Sequence, residues 1–199
     1  MNKFLSHPGV ALGLGAACSA VALAFWFVDN RGDFLGLIAF LFRLLHIFSA
    51  MLWVGMVWFV NFIQLAALRD ADDAGKAVLM RHVVPHVADV FRVVSHLTLA
   101  SGVGLLLTSG YVLDRWVFPS SVYIPSIRGG TLWGGVILGV VMWVLVHKVI
   151  WPNLGIVLDA GAEPGARTAA RERVLLAARF NLVLALPVTF LMVAAAHLY

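Results

Sequence analysis

The sequence predicts an all-α polytopic transmembrane helical bundle of about five spans, forming a single domain over residues 1–199 with its N-terminus in the cytoplasm. The first observation behind this is composition. Hydrophobic residues make up 62% of the chain and charged residues 12%, whereas a soluble domain sits nearer half apolar and a quarter charged. A water-soluble chain of this size has no interior large enough to hide that much apolar surface, so the bilayer is the missing solvent. The second observation is distribution. The apolar residues fall into five runs, near 9–28, 34–67, 93–113, 131–151 and 174–198, and about 20 such residues cross a hydrocarbon core about 30 Å thick.

Taken in order, the first run follows Lys3 and imitates a signal peptide. Gly9 to Val28 is as long as a full span, however, and longer than a signal's apolar core. Ala16-Ala17-Cys18 lacks the Leu-like residue of a lipoprotein site, so a retained helix is expected. Asp29 to Asp33 reads as a short polar turn. The second run exceeds one span and must tilt or project beyond the membrane. Residues 69–92 carry most of the mid-chain charge and read as a loop, with Pro85 arguing against a regular helix. The third run leads into Asp114 to Gly130, a loop holding Pro119 and Pro125 and apolar enough to lie on the membrane surface. The fourth run is followed by 155–173, a Gly-, Pro- and charge-bearing linker, and the fifth closes the chain. There is no solenoid repeat. The lone Cys18 excludes an intrachain disulfide framework and a CxxCH haem site.

Orientation follows from the basic residues. If the helices alternate, Lys3, four residues within 69–92 and five within 148–179 share one side, ten in all. Arg31, Arg115 and Arg128 lie on the other side, and Arg43 is inside the second run. The positive-inside rule places the first set in the cytoplasm and Tyr199 outside. The net charge of +4 then reflects loops facing a lipid bilayer and not a nucleic-acid partner.

Seven histidines invite a chemical reading, because ionisable side chains within a span are costly and tend to mark sites. With this topology His46 and His197 fall in an outer layer, and His96 and His147 in an inner one. Arg43 is three residues before His46, Arg92 one turn before His96, and Lys148 follows His147. This pattern suits b-haem: imidazoles from facing helices ligate iron, and basic residues meet the propionates. Trp53, Trp58, Phe48, Trp143 and Trp151 offer flat walls, although Trp151 fits equally as an interfacial anchor. Gly55, Gly102, Gly104, Gly134, Gly135 and Gly139 suit close helix packing as well as room for a ring. His197, so near the C-terminus, also reads as a solvated end. His82 and His86 stand four apart, in what reads as a solvated loop. Asn61 and Gln64 share a depth with Arg179 and Asn181, a polar inner cluster that points to a pocket.

Several strings carry a family resemblance. Leu45-His46 with Trp53-Val54-Gly55, then Trp151-Pro152-Asn153, Ala178-Arg179-Phe180-Asn181 and Leu186-Pro187 appear in that order. The order resembles the membrane domain of the cytochrome-c-tailed bacterial urate oxidases. The His-and-Trp helix is also similar to membrane protoporphyrinogen oxidases and copper-import membrane proteins. The match spans about 34–68 and 131–197, with a looser match at 85–110, and without the family's CxxCH. It implies a helical bundle with a redox role in the bacterial inner membrane. The leading expectation is a protein with one or two b-haems, drawing its ligands from His46, His96, His147 and His197, with Arg43, Arg92, Arg179 and Trp53 around them. It would pass electrons as a subunit or partner of a larger respiratory complex or a c-type cytochrome. The alternatives are a haem-dependent oxidoreductase acting on a small molecule such as urate or a porphyrinogen, and a copper transporter or cofactor-free scaffold with Met51, Met56, Met142 and Met192.

Overall fold

The computed structural model describes residues 7–29, 33–108 and 126–198. Their secondary structure is helical throughout. Five helices are long and apolar enough to cross a membrane: α1 (Pro8–Asp29), α2 (Phe34–Asp70), α3 (Asp73–Thr108), α4 (Ile127–Leu158) and α5 (Pro164–His197). The chain is an all-α, multi-pass membrane protein. Its outward-facing side chains agree: Ile137, Leu186 and Phe190 stand exposed, a surface suited to acyl chains and not to water. Arg31, Lys3, Tyr199 and the loop expected around Pro119 and Pro125 lie outside the described residues.

The chain divides into two compact units, residues 1–41 and 42–199. In the first, Asp33 starts α2 by accepting a hydrogen bond from the Gly36 amide at 2.9 Å, an N-cap that satisfies an orphan donor. Trp26 and Phe40 stack with ring centroids 5.9 Å apart. No residue of α1 is buried.

In the second unit the rest of α2 and helices α3 to α5 surround one core, to which Trp53, Val57, Phe91, Val94, Met142 and Val146 contribute. Helices α4 and α5 pack through small residues. A methyl group at Gly135 would stand 3.3 Å from the Met192 thioether, and Ala185, Ala194 and Ala195 are buried on α5. Between apolar helices in lipid such close approach and polar cross-links replace the hydrophobic effect. The cross-links are present. Arg128 Nε donates to the Ala195 carbonyl at 3.1 Å, Asn61 Nδ2 to the Ala178 carbonyl at 3.2 Å, and His46 Nδ1 to the Thr98 carbonyl at 2.9 Å.

Two expected loops are largely helix. Helix α3 begins at Asp73 and α5 at Pro164, well before the apolar runs they serve. Both starts are capped. The Asp72 carboxylate accepts from the Gly75 amide at 2.7 Å. Glu163 accepts from the Ala166 amide at 2.8 Å, with Pro164 in the first turn, where its missing N–H costs nothing. Pro85 does not break α3. A π-helical turn, Leu79–Val83, ends two residues before it, and another, Leu145–Ile150, ends two residues before Pro152 in α4. The wider turn shifts the hydrogen-bonding register where a proline cannot donate. His82 and His86 are therefore on a helix. Both are exposed, and His86 Nδ1 donates to the His82 carbonyl at 2.9 Å.

Candidate functional site

The three π-helical turns among the described residues of the second unit lie around one cavity. Phe59–Gln64 of α2 contributes Val60, Asn61 and Gln64; Leu79–Val83 of α3 contributes Met80; Leu145–Ile150 of α4 contributes Val146 and Ile150. Such turns aim side chains away from the regular helical ladder and recur at functional sites. The cavity measures about 870 Å³, within the range of about 300–1,000 Å³ that small-molecule sites occupy.

Its lining is graded. Phe91, Trp151 and Leu154 form apolar walls. The Arg92 guanidinium lies 4.1 Å from the Trp151 ring centroid, a cation–π contact that holds this wall. Buried amides form the polar part: Asn61 is 5% exposed, Gln64 9% and Asn181 1%. Arg69, Lys76, Arg167, Arg171 and Arg179 also line the cavity, and among the described residues no acidic one does. Arg69 pairs with Asp70 at 2.7 Å and Lys76 with Asp73 at 3.9 Å. Arg167 donates to the carbonyls of Asp159, Ala160 and Ala162, closing the C-terminal turn of α4. Arg171 and Arg179 are exposed and make no hydrogen bond or ion pair among the described residues.

The amides are incompletely satisfied. Asn61 Nδ2 donates to the Val57 and Ala178 carbonyls at 2.9 and 3.2 Å. Among the described residues, Asn61 Oδ1, Gln64 Oε1 and both Asn181 amide atoms are buried without a partner. Each such atom costs about 1–3 kcal/mol unless something pairs with it.

The histidines sit elsewhere, and none lines the cavity. The expected inner pair does come together: the His96 and His147 rings are 4.0 Å apart, tilted by 32°. Trp143 Nε1 donates to His96 Nδ1 at 3.2 Å. The Ser95 hydroxyl donates to the Arg92 carbonyl at 2.8 Å, so its oxygen accepts from His147 Nε2 at 3.0 Å. The two imidazoles are therefore in mutual contact. Two ligands on opposite faces of one iron need bonds of about 2 Å each, with the metal between the rings, and these rings would have to part to admit it.

The expected outer pair is not joined. His46 turns to α3, where its Nδ1–H donates to Thr98 and leaves Nε2 bare. Gly102 makes room for it, since a methyl group there would stand 3.0 Å from His46 Cε1. His197 is exposed at the end of α5, with no hydrogen bond or ring contact to His46 among the described residues. Arg43 is exposed one turn before His46. Trp53 is a core residue, 4% exposed, with its Nε1 unpaired. No three His, Cys, Asp or Glu side chains cluster for a metal ion among the described residues.

Arg167 and Arg171 escape the sequence reading because they fall in the stretch taken as a linker. The signal was there: Arg167, Arg171, Val174, Leu175, Ala178 and Asn181 follow helical spacing behind a Glu163-Pro164 start. Comparison of the chain with protein-family models, with curated proteins and with solved structures returns no match.

Proposed function

We propose that the chain is a multi-pass membrane protein that binds a small organic anion in the cavity at the Lys- and Arg-rich end of helices α2 to α5. The observation that carries this is one cavity lined by the buried amide residues Asn61, Gln64 and Asn181 and by Arg171 and Arg179, which make no ion pair, with no carboxylate among its described lining residues. Cations at the edge of a low-dielectric cleft attract anions and reject cations. By the positive-inside distribution this end faces the cytoplasm. The test is thermal unfolding of the purified chain with benzoate and with benzamidine, which share a ring and differ in charge. Benzoate is expected to raise the midpoint and benzamidine to leave it unchanged. Replacing Arg171 and Arg179 by Gln is expected to abolish the difference. Equal effects of the two compounds, or an effect that survives both substitutions, would reject the proposal.

A second reading is favoured by a separate observation. A metal-ligating histidine characteristically donates its other ring N–H to a carbonyl, as His46 does to Thr98. His46 would therefore be the residue to hold a b-haem, through its free Nε2. The protein would then be a redox component of the bacterial inner membrane, working with a c-type cytochrome or a larger respiratory complex. The cavity would serve as its small-molecule site, in keeping with the resemblance to the urate oxidase membrane domain. Haem-replete expression is expected to give a Soret band that His46→Ala removes. A colourless wild-type protein, or a band unchanged in the variant, would reject it.

A further inference from the structure

Helices α3 and α4 meet along a seam of basic and aromatic side chains. Arg92 of α3 lies over the Trp151 ring of α4, and His96 over His147. His147 stands within electrostatic reach of His96, Arg92 and Lys148, three basic groups. His96 and Lys148 are exposed, while Arg92 and His147 are half-buried. The neighbouring Val93, Leu97 and Val144 are exposed as well, so the seam opens on the surface suited to acyl chains. Its free polar groups are donors. Trp143 Nε1 can only donate, so His96 Nδ1 accepts from it and the ring proton is on Nε2. Ser95 takes up His147 Nε2. Among the described residues the Arg92 guanidinium and the Lys148 ammonium form no ion pair, and Asp89, one turn before Arg92, pairs with neither.

We infer that the α3–α4 seam binds the headgroup of an anionic phospholipid, with Arg92, His96 and Lys148 donating to its phosphate. Basic groups gathered at the edge of hydrocarbon are costly unless an anion meets them. A soluble anion meets the donors alone. A phospholipid meets the donors with its phosphate and Val93, Leu97 and Val144 with its acyl chains. Basic clusters between transmembrane helices take lipid headgroups on these grounds. Phosphatidylcholine carries the same phosphate, but its own ammonium group balances the charge, so the seam prefers a lipid of net negative charge. The site is separate from the cavity, whose unpaired cations are Arg171 and Arg179.

Native mass spectrometry of the full chain in detergent gives dissociation constants for phosphatidylglycerol and phosphatidylcholine with identical acyl chains. Phosphatidylglycerol is expected to bind at least about tenfold more tightly. Lys148→Gln, a change at an exposed side chain, is expected to weaken phosphatidylglycerol about fivefold. Adding Arg92→Gln is expected to bring the two lipids within about twofold of each other. Equal affinity of the two lipids for the wild type overturns the inference, and so does a preference that survives in the double variant. Should that variant not fold, Lys148→Gln decides alone, and unchanged affinity there overturns the inference. A preference abolished by Arg171→Gln with Arg179→Gln would move the lipid to the cavity and overturn it too. Glycerol 1-phosphate, which has the head without the chains, is expected not to compete; competition at equal concentration would make the seam a site for soluble phosphate and contradict the lipid assignment.

Discussion

Asn61 and Asn181 are both amides buried at the same level of the bundle, yet they are held differently. Asn61 ties α2 to α5 through the Ala178 carbonyl, while neither amide atom of Asn181 has a partner. The difference predicts opposite responses to the same substitution. Asn181→Leu removes two unpaired buried atoms at similar volume and is expected to stabilise the chain by about 1–3 kcal/mol. Asn61→Leu loses the inter-helix hydrogen bond to the Ala178 carbonyl, so it is expected to destabilise by about 1 kcal/mol. Denaturation midpoints in detergent decide between them, and a loss at Asn181 as large as that at Asn61 would make its amide a structural partner. These amides and Arg179 were legible in the sequence, because polar residues in apolar runs stand out against their neighbours. The meeting of His96 with His147 was legible for the same reason, both falling at one depth. The partner of His46 was not. A backbone carbonyl such as that of Thr98 leaves no trace in a sequence of side chains.

At the scale of the element, the positions of the spans were readable and their ends were not. Hydropathy locates the stretch that must lie in lipid, but α3 and α5 extend past that stretch on the strength of caps and charged faces. Asp72 and Glu163 begin those helices with single carboxylates, and π-helical turns carry α3 and α4 past their prolines. Hydrogen bonds from the Gly165 and Ala166 amides hold the Glu163 carboxyl below its ordinary value. The sign follows directly: a depressed folded-state pKa adds stability above the unfolded value, and that stability is lost as pH falls through the folded value. Titration of the Ala166 amide resonance is expected to show a midpoint below that of an ordinary glutamate. A midpoint at or above the ordinary value would remove the cap from the start of α5. Arg167 and Arg171 sit on that early part of the helix, so without the cap the cavity would lose the segment that brings them to it.

For the whole molecule, the five spans and their all-α character were legible from composition, since 62% hydrophobic residues leave few alternatives in water. The cavity was legible only as a shared depth of polar residues. Its volume arises where three helices widen together and a fourth supplies arginines, a coincidence between segments distant in sequence. In the proposed reading, the buried amides together with guanidinium groups that make no ion pair would make this end of the bundle a binding site. Equilibrium binding of benzoate to the chain in nanodiscs tests it most directly. The expected result is saturable binding of one benzoate per chain, weakened at least about tenfold when Arg171 and Arg179 are replaced by Gln; binding that never saturates, or that the two substitutions leave unchanged, would contradict it.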